Sequence, residues 1–367
     1  HVVEHLSKGI LRAKHKIYVN KDGTTRVDCT QLPLTHFKPK EIHTSVEKLK
    51  EIGYTHDIND EPLTNDNQLL EIKPQDIILP GYGEVVTPPP KVLRNVANFV
   101  DDLLVNFYGL KPFYNIKKLE DLVGHLVIGL APHISAGLIG RIIGYSDSQG
   151  LLTNPMYHAG LRRDCDGDEA AVMLLMDSLL NFSRKFLPSS RGSTMDAPLV
   201  LTSFLDPAEV DDQVHGVDVM WKYPLEFYEA AMEMKNPWEV KHGPENKKIE
   251  QLAHRLGTIK QYEDFGFTHH VDDINKAPLC SAYKTLPSMK EKLVGQMEIA
   301  KKVRAVDMGD VAKLVIQKHF LKDIKGNLKK YSMQQFRCVG CNEKYRRPPL
   351  SNKCTTCNGK IIFTISQ

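Results

Sequence analysis

Residues 162–169 of the chain read Arg-Arg-Asp-Cys-Asp-Gly-Asp-Glu. Single residues separate the three carboxylates of this stretch, on Asp164, Asp166 and Asp168. On an extended backbone, side chains two residues apart point to the same side, so these carboxylates would converge and repel one another without a cation. Mg²⁺ suits such a site because it takes oxygen ligands and shares them with substrate phosphates. The stretch therefore predicts a magnesium site.

The neighbours of the three aspartates fit phosphoryl transfer. Mg²⁺ held by carboxylates activates a nucleophilic oxygen and stabilises the leaving oxygen. Arg162 and Arg163 could balance the charge of a nearby phosphate. Gly167 lacks a Cβ, which lets the backbone turn tightly and a ligand approach. Cys165 would face the opposite side, where we expect it to pack rather than to react.

Two other interpretations of the acidic stretch compete with this one. A calcium-binding EF-hand loop requires Gly at its sixth position and Glu at its twelfth, but these positions are Glu169 and Leu175 here. A solvated acidic turn remains an alternative that the spacing alone does not exclude. It is less favoured because an apolar segment, Ala170–Leu187, follows directly, and we expect that segment to form a buried helix.

Outward from this stretch, the pattern indicates a mixed α+β fold. The continuous apolar runs 122–130 and 198–205 predict buried strands, and residues 73–79 predict a loop entering another. Apolar residues recur at helical spacing from Val92 to Phe107 and predict a helix that ends near Gly109. The first ninety residues read as strands and turns, with a hairpin between His15 and Asp28. The glycine-rich stretch 137–150 lacks the patterns of dinucleotide or P-loop binding.

Four of the seven cysteines form a second candidate site. Cys338 and Cys341 make one C-x-x-C pair, and Cys354 and Cys357 make another after twelve residues. Two such pairs complete a tetrahedral Zn²⁺ site with no position open for substrate, which indicates a structural role. A redox pair is the less favoured alternative. Arg346-Arg347 lie between the pairs, where they could contact nucleic acid or a protein partner.

The charge of the chain is unevenly distributed. The formal net charge is only +3. Residues 284–367 carry 18 Lys/Arg and 6 Asp/Glu, a balance of +12, whereas the rest carries 30 basic and 39 acidic residues, a balance of −9. Such asymmetry suggests contact with nucleic acid or another anionic surface.

Several classes of protein are not indicated. No apolar run approaches the ~20 residues of a membrane span, and no signal peptide is visible. Four cysteines have the spacing of metal ligands and the other three are scattered along the sequence. This distribution favours an intracellular protein over a secreted one built on a disulfide framework. The chain begins with His1 rather than Met, so we expect it to be an excerpt of a longer protein.

Histidines offer weaker candidates. His125, His133 and His158 are expected to be structural, since a hydrogen-bonded histidine in or near a core is more frequent than a ligand. His269-His270, near Asp272-Asp273, could bind a metal, but nothing in the sequence fixes their geometry.

The residues also carry a resemblance. Asp164-Cys-Asp-Gly-Asp168 resembles the D-F-D-G-D core of the metal-binding motif in multisubunit RNA polymerases, and its wider context resembles the large subunit of the archaeal family D DNA polymerase. The resemblance covers most of the chain. It extends through Leu32-Pro-Leu-Thr-His-Phe37, Lys73-Pro-Gln-Asp-Ile-Ile-Leu-Pro80, residues 121–133, Asp196-Ala-Pro-Leu-Val200 and Tyr345-Arg-Arg-Pro-Pro-Leu350.

The resemblance implies a two-barrel polymerase, in which two double-psi β-barrels face each other across one active site. By motif match, Asp166 and Asp168 would be the metal ligands. Asp164 matches the first aspartate of the RNA polymerase motif, which makes it a further candidate ligand, at a position where the family D pattern often has Asn. Arg162 and Arg163 match the basic pair before the motif. The cysteine quartet resembles a C-terminal zinc module of this subunit.

The resemblance further implies template-directed addition of deoxynucleotides to a primer 3′ end, in the cytoplasm of an archaeal cell, with a small proofreading exonuclease subunit as partner. We expect the facing barrel before His1 and the segment that reaches the sliding clamp after Gln367, so this chain alone should have little or no polymerase activity. An RNA polymerase-like enzyme and a non-catalytic, zinc-stapled module that binds nucleic acid or supports assembly remain alternatives.

These observations predict four regions. Residues 1–90 would be a strand-rich part of the catalytic core, and residues 91–283 the barrel region with the aspartate motif. Residues 284–330 would be a basic helical segment, and residues 331–367 the zinc module.

Overall fold

The computed structural model divides the chain into two compact units, residues 1–280 and 281–367. The four-region division expected above is finer than this and stays a prediction. The structure describes residues 6–20, 22–81, 89–132, 134–163, 168–183, 199–266, 273–276 and 286–364.

The first unit combines short helices with a large sheet. Its helices are α1 (Leu6–Lys14), α2 (Val46–Glu51), α3 (Pro89–Tyr108), α4 (Pro155–Gly160), α5 (Leu175–Asn181) and α6 (Leu225–Met232). Its strands are β1 (Val27–Pro33), β2 (His36–Phe37), β3 (Leu70–Glu71), β4 (Asp76–Pro80), β5 (Leu126–Leu130), β6 (Ala136–Ser146), β7 (Gly150–Thr153), β8 (Glu169–Leu174), β9 (Val200–Thr202), β10 (Lys241–His242) and β11 (Lys247–Lys248). Single 3₁₀ turns lie at Pro39–Ile42, Leu119–Leu122, Asp212–Gly216, Pro237–Glu239, Leu252–Arg255, Ile259–Gln261 and Ile274–Lys276.

Six strands of this unit form a closed ring in the order β4-β7-β1-β8-β5-β6, because β4 pairs with both β7 and β6. The pairs β1–β7 and β4–β6 are parallel, and the other four pairs of the ring are antiparallel. Strand β9 adds to β6 in parallel. The fold is therefore mixed α/β with a ring-like mixed sheet, which agrees with the mixed class expected from sequence.

Glycines in the ring make room for one large side chain. Tyr157 of α4 is fully buried, and its hydroxyl donates to the Leu138 carbonyl at 3.0 Å. A Cβ on Gly129 would lie 2.6 Å from the Tyr157 hydroxyl oxygen, and a Cβ on Gly140 would lie 2.7 Å from it. Gly129, and Gly140 of the glycine-rich stretch, therefore have a packing role, because only a residue without a side chain fits against the tyrosine.

Helix α3 covers part of the ring. The expectation of a helix from Val92 to Phe107 is confirmed, and Gly109 follows its last turn with φ +64°. The buried face of the helix includes Val96, Phe99 and Leu103, which belong to the same core cluster as Val172 of β8. Burial of this amphipathic face is what fixes the helix against the sheet.

The expectation of a buried helix over Ala170–Leu187 is wrong. Glu169–Leu174 forms strand β8, and up to Ser183, where the described part of this segment ends, only Leu175–Asn181 is helical. Strand β8 is paired on both sides and buried on both faces, since Ala170 and Val172 join one core cluster while Ala171 joins another. A strand buried on both faces reads as a continuous apolar run, which periodicity cannot distinguish from a buried helix.

The hairpin expected between His15 and Asp28 is also wrong. Helix α1 ends at Lys14, and the following described residues up to Arg26 form turns and backbone without regular secondary structure before β1 begins at Val27. Other expected strands are present but shorter. The run 122–130 contains β5, and the run 198–205 contains β9.

The second unit has its own elements. Its helices are Met289–Lys302, Met308–Val315 and Leu321–Met333, and a single π turn over Ile316–Phe320 joins the last two. A three-stranded sheet follows, with β12 (Phe336–Cys338) between β13 (Lys344–Tyr345) and β14 (Ile361–Phe363). Across the described residues of both units, no helix combines the length and apolarity needed to cross a membrane.

The packing of Tyr157 against glycine gives a stability prediction. Gly140→Ala should lower the free energy of unfolding by about 1–3 kcal/mol, as overpacking of a filled core does. The loss should be smaller in a Tyr157→Phe background, because the closest clashing atom is removed. Both tryptophans, Trp221 and Trp238, lie in the first unit, so their fluorescence during denaturant unfolding measures the change.

Gly9→Ala is the matched control for this prediction. Gly9 lies in α1, and a methyl group added there would meet no atom of the described residues within 4 Å beyond its own helix backbone. Alanine should therefore be neutral or stabilising at this position. Equal stability of the Gly140→Ala and wild-type chains would show that the ring can expand around Tyr157.

Candidate active site and metal centre

Asp168 is the one residue of the expected carboxylate triad that lies within the described part of the chain. Asp164 and Asp166 lie outside the described residues, as do Cys165 and Gly167 between them. Asp168 directly precedes β8, and its backbone carbonyl accepts a hydrogen bond from the backbone N–H of Gln31 in β1 at 2.8 Å. Its side chain is 40% exposed. The central strands of the ring thus fix the backbone of Asp168 while its carboxylate stays accessible.

Arg163 lies beside this carboxylate. Its Nη1 is 3.6 Å from Oδ2 of Asp168, and its Nε donates to the Glu169 carbonyl at 3.1 Å. The second contact holds the guanidinium at the edge of β8. The positive charge of Arg163 therefore offsets the negative charge of Asp168 while the two groups remain partly exposed.

Arg162 takes a different direction. It adopts a left-handed backbone conformation with φ +57° after α4, and its guanidinium donates to the backbone carbonyl of Glu209. The two arginines that the sequence places together are therefore separated by the turn, and Arg163 is the one in contact with Asp168.

Gln31 is a neighbour of Asp168 that the sequence analysis did not identify. Its side chain is fully buried, and neither its amide nitrogen nor its amide oxygen has a hydrogen-bond partner among the described residues. In the sequence, Gln31 lies two residues after the apolar Cys29, so on a strand the two side chains would point to the same face. This pattern identifies Gln31 as inward-facing only after β1 has been assigned as a strand with a buried face.

The candidate histidines occupy different surroundings. His158 of α4 is buried, its Nε2 lies 3.0 Å from the Leu32 carbonyl, and burial lowers its pKa to about 4. His125 packs edge-on against Tyr114, and its pKa is also lowered, mainly by burial. These are the surroundings expected of structural histidines. His133, His269, His270 and Asp272 lie outside the described residues.

The four cysteines of the second unit come together. One ligand atom from each of Cys338, Cys341, Cys354 and Cys357 lies within 4.8 Å of the others. The sulfur atoms of Cys338 and Cys357 are 3.4 Å apart, as are those of Cys341 and Cys354. Tetrahedral coordination with Zn–S bonds of ~2.3 Å places sulfur atoms roughly 3.8 Å apart, so the cluster is consistent with zinc.

The two C-x-x-C turns are built alike. Cys338 and Cys354 are buried at the start of each turn, and Asn342 and Asn358 follow the second cysteine with φ +64° and +60°. The backbone N–H of Asn342 donates to the Cys338 carbonyl at 3.1 Å, and the backbone N–H of Asn358 donates to the Cys354 carbonyl at 2.9 Å. Left-handed asparagine is common in such tight turns, which direct both thiols of a pair to one side.

Other groups support the cysteine cluster. The hydroxyl of Tyr345 donates to the sulfur of Cys354 at 3.0 Å, which lowers the pKa of that thiol to about 5 and favours the thiolate that binds metal. A Cβ on Gly359 would lie 2.8 Å from the Cys338 sulfur, so glycine is needed for the close approach. Arg346 and Arg347 are exposed between the two turns.

Comparison with known proteins relates the chain to one family. The family model described as DNA polymerase II large subunit DP2, catalytic domain, matches residues 1–292. Residues 293–367, which include the four cysteines, lie beyond this match but within the alignments to whole proteins described next.

Curated relatives match nearly the whole chain. The DNA polymerase II large subunit of Pyrococcus furiosus is 53% identical over 366 residues, which cover 100% of this chain and 28% of that protein. The subunit of Archaeoglobus fulgidus is 53% identical over 364 residues, with 99% and 31% covered, and that of Methanococcus maripaludis is 52% identical over 366 residues, with 100% and 31% covered. The chain thus spans about three tenths of the length of these relatives.

The buried histidine gives a pH prediction. The pKa of His158 falls from 6.5 in the unfolded chain to about 4 in the folded chain. Between these pH values the imidazole of His158 is therefore protonated mainly in the unfolded chain. Its contribution to stability is therefore complete above pH 6.5 and is lost as the pH falls toward 4, by up to about 3 kcal/mol. His158→Gln should flatten this slope when unfolding is followed by tryptophan fluorescence.

Two comparisons keep this prediction specific. Burial also lowers the pKa of His36 to about 4, so part of the acid slope should persist in the His158 variant. His56 is exposed, and His56→Gln should leave the slope as it is in the wild type. An identical slope in the wild-type and His158→Gln chains would contradict the prediction.

The cysteine cluster gives a prediction about modularity. Cys354→Ser should remove bound zinc and unfold residues 331–367 locally while the ring of the first unit stays folded, because all four ligands belong to the second unit. Metal analysis and hydrogen exchange read by mass spectrometry would measure both effects. Cys29→Ser, a change of the same chemistry in β1, should leave the zinc content intact, and loss of protection throughout the first unit of Cys354→Ser would contradict the modular view.

Proposed function

Because the chain belongs to the family of the DNA polymerase II large subunit catalytic domain, we propose that it supplies the carboxylate side of the active site of an archaeal DNA-directed DNA polymerase. The observation that carries this proposal is the placement of Asp168, which is fixed by central strands of a closed sheet with its carboxylate exposed. Catalytic groups need this combination of a rigid backbone and an accessible side chain.

We further propose that the ring of six strands is the double-psi β-barrel that the sequence resemblance implies. The closed order and the mixture of parallel and antiparallel pairs support this assignment. In such an enzyme a second barrel would face this one across the active site, and it would come from a part of the larger protein outside this chain.

Asp166 and Asp168 are proposed as ligands of the catalytic Mg²⁺, with Asp164 as a further candidate. When bound there, the metal would supply activation of the primer 3′ oxygen and stabilisation of the leaving oxygen. The exposed carboxylate of Asp168 fits a hard cation that takes oxygen ligands. Arg163, already beside Asp168, would bind a phosphate of the incoming nucleotide, and Arg162 would have to leave the Glu209 carbonyl to do the same.

The four cysteines are proposed to hold a structural Zn²⁺. Thiolates from Cys338, Cys341, Cys354 and Cys357 would fill all four positions of a tetrahedral ion, which leaves none for substrate. The exposed Arg346 and Arg347 would then be presented on a rigid loop toward nucleic acid or a protein partner.

The proposed partners follow from the relatives. The name of each relative identifies it as a large subunit, so we propose a small subunit with proofreading exonuclease activity, together with primer–template DNA and deoxynucleotides. Contact with a sliding clamp would involve parts outside this chain, and the proposed location is the archaeal cytoplasm.

A second candidate role rests on the basic charge of residues 284–367. These residues could bind DNA without taking part in the chemistry, and their affinity would then fall steeply with salt. The two roles are compatible. An RNA polymerase-like activity is distinguished from DNA synthesis by comparing ribonucleotide with deoxynucleotide incorporation on a primed template.

The polymerase proposal is tested on Asp168. In the full two-subunit enzyme, Asp168→Asn keeps the shape of the side chain but removes its charge, and it should lower deoxynucleotide incorporation by at least about 100-fold, as loss of a catalytic charge does. The rate of primer extension is the measurement, and proofreading activity should be unchanged because it belongs to the other subunit.

Glu209→Gln is the matched control for Asp168→Asn. It removes a carboxylate close in space to the same turn, but Glu209 contacts Arg162 only through its backbone carbonyl among the described contacts. This variant should extend primers at the wild-type rate. Near-normal extension by Asp168→Asn would refute the assignment.

A further inference from the structure

The side chain of Gln31 is unfavourable for stability in the core of the ring. It lies on β1 and is fully buried, yet within the described part of the chain both polar atoms of its amide lack hydrogen-bond partners. A buried amide group left without partners destabilises the fold, so an apolar residue of similar size would make the fold more stable. Buried groups of this kind call for an explanation outside stability.

The strand register places Gln31 opposite Asp168. In the antiparallel pair β1–β8, Cys29 faces Ala170 and Thr30 faces Glu169, and the hydrogen bond from the backbone N–H of Gln31 to the backbone carbonyl of Asp168 continues the ladder by one residue. Directly opposed residues in a sheet project their side chains to the same face, with Cβ atoms roughly 4.5–5.5 Å apart. The unsatisfied amide therefore lies within side-chain reach of the Asp168 carboxylate.

Among the described residues, that carboxylate also has a charged neighbour. Arg163 approaches Asp168 to 3.6 Å, and a bound cation would have to compete with its positive charge. A neutral amide differs in that it can hold one carboxylate oxygen without cancelling the charge that attracts the metal. Second-sphere groups of this kind orient ligands in many metal sites.

We propose that Gln31 is a positioning residue for Asp168. Its Nε2–H donates to one carboxylate oxygen when the site is loaded and so directs the other oxygen to the cation. This inference rests on the proposed function, in which Asp168 is a metal ligand. It adds a residue from β1, far away in the sequence, to the groups that determine metal affinity.

The test uses Mn²⁺ as the probe in the full two-subunit enzyme, with Gln31→Leu as the variant. Mn²⁺ binding is measured by direct titration. Binding at this site is defined as the part of the wild-type Mn²⁺ binding that is absent in Asp168→Asn. Gln31→Leu should weaken this binding by about 10- to 100-fold, the usual effect of removing a second-sphere partner. Its thermal unfolding temperature should equal or exceed that of the wild type, because a buried unsatisfied amide is removed.

Gln75→Leu is the control, and its effects on stability and on Mn²⁺ affinity should be the opposite of those of Gln31→Leu. The amide of Gln75 donates to the carbonyls of Ile139 and Ser203, so its loss should lower the unfolding temperature and leave Mn²⁺ affinity unchanged. Wild-type Mn²⁺ affinity in Gln31→Leu would overturn the inference while leaving Asp168 as a ligand. Equal Mn²⁺ binding by the wild type and Asp168→Asn would instead refute the proposed function itself.

Discussion

The parallel pairing of β4 with β6 closes the sheet, and the remaining structure of the first unit depends on this closure. The pairing runs from Asp76 opposite Arg141 to Pro80 opposite Ser146. It begins at a partly buried ion pair in which Nε and Nη2 of Arg141 each donate to the Asp76 carboxylate at 2.8 Å, while the Tyr54 hydroxyl donates to the same carboxylate at 2.6 Å. A bidentate contact of this geometry fixes register as well as contributing energy.

Closure determines what the interior can hold. Every strand of the ring is paired on both sides, so no ring strand is left as an open edge, and the side chains inside must fit a fixed volume. Tyr157 is one of the fully buried side chains of this core, and Gly129 and Gly140 leave room for its ring. Burial in the core of the first unit keeps His158 of α4 neutral by lowering its pKa, and burial raises the pKa of Asp177 in α5. The same rigidity holds the start of β8, and with it Asp168, at one end of the ring.

Sequence reasoning succeeded where the relevant contacts are local. The cysteine pairs are short turns whose spacing determines where the thiols point, and the structure brings all four together as expected. The helix over Pro89–Tyr108 has one apolar face, which its periodicity revealed. The segment after Asp168 was misassigned because both faces of β8 are buried, which leaves no periodicity to read. Gln31 was missed because its relation to Asp168 depends on a strand register across 137 residues of sequence.

The two proposed metal sites of the chain differ in a way that follows from their ligands. The cysteine site gathers four thiols from one short segment, so its ligand set is complete within the second unit and needs no other part of the molecule. The Asp168 site is open by comparison, because its carboxylate is partly exposed and its described charged neighbour, Arg163, stands 3.6 Å away. A closed set of ligands stabilises a fold, whereas an open carboxylate leaves coordination positions for water and substrate. Under the proposed function, the chain would separate these two tasks, with the structural metal held by soft local ligands and the catalytic metal held at the end of a rigid ring where substrate can reach it.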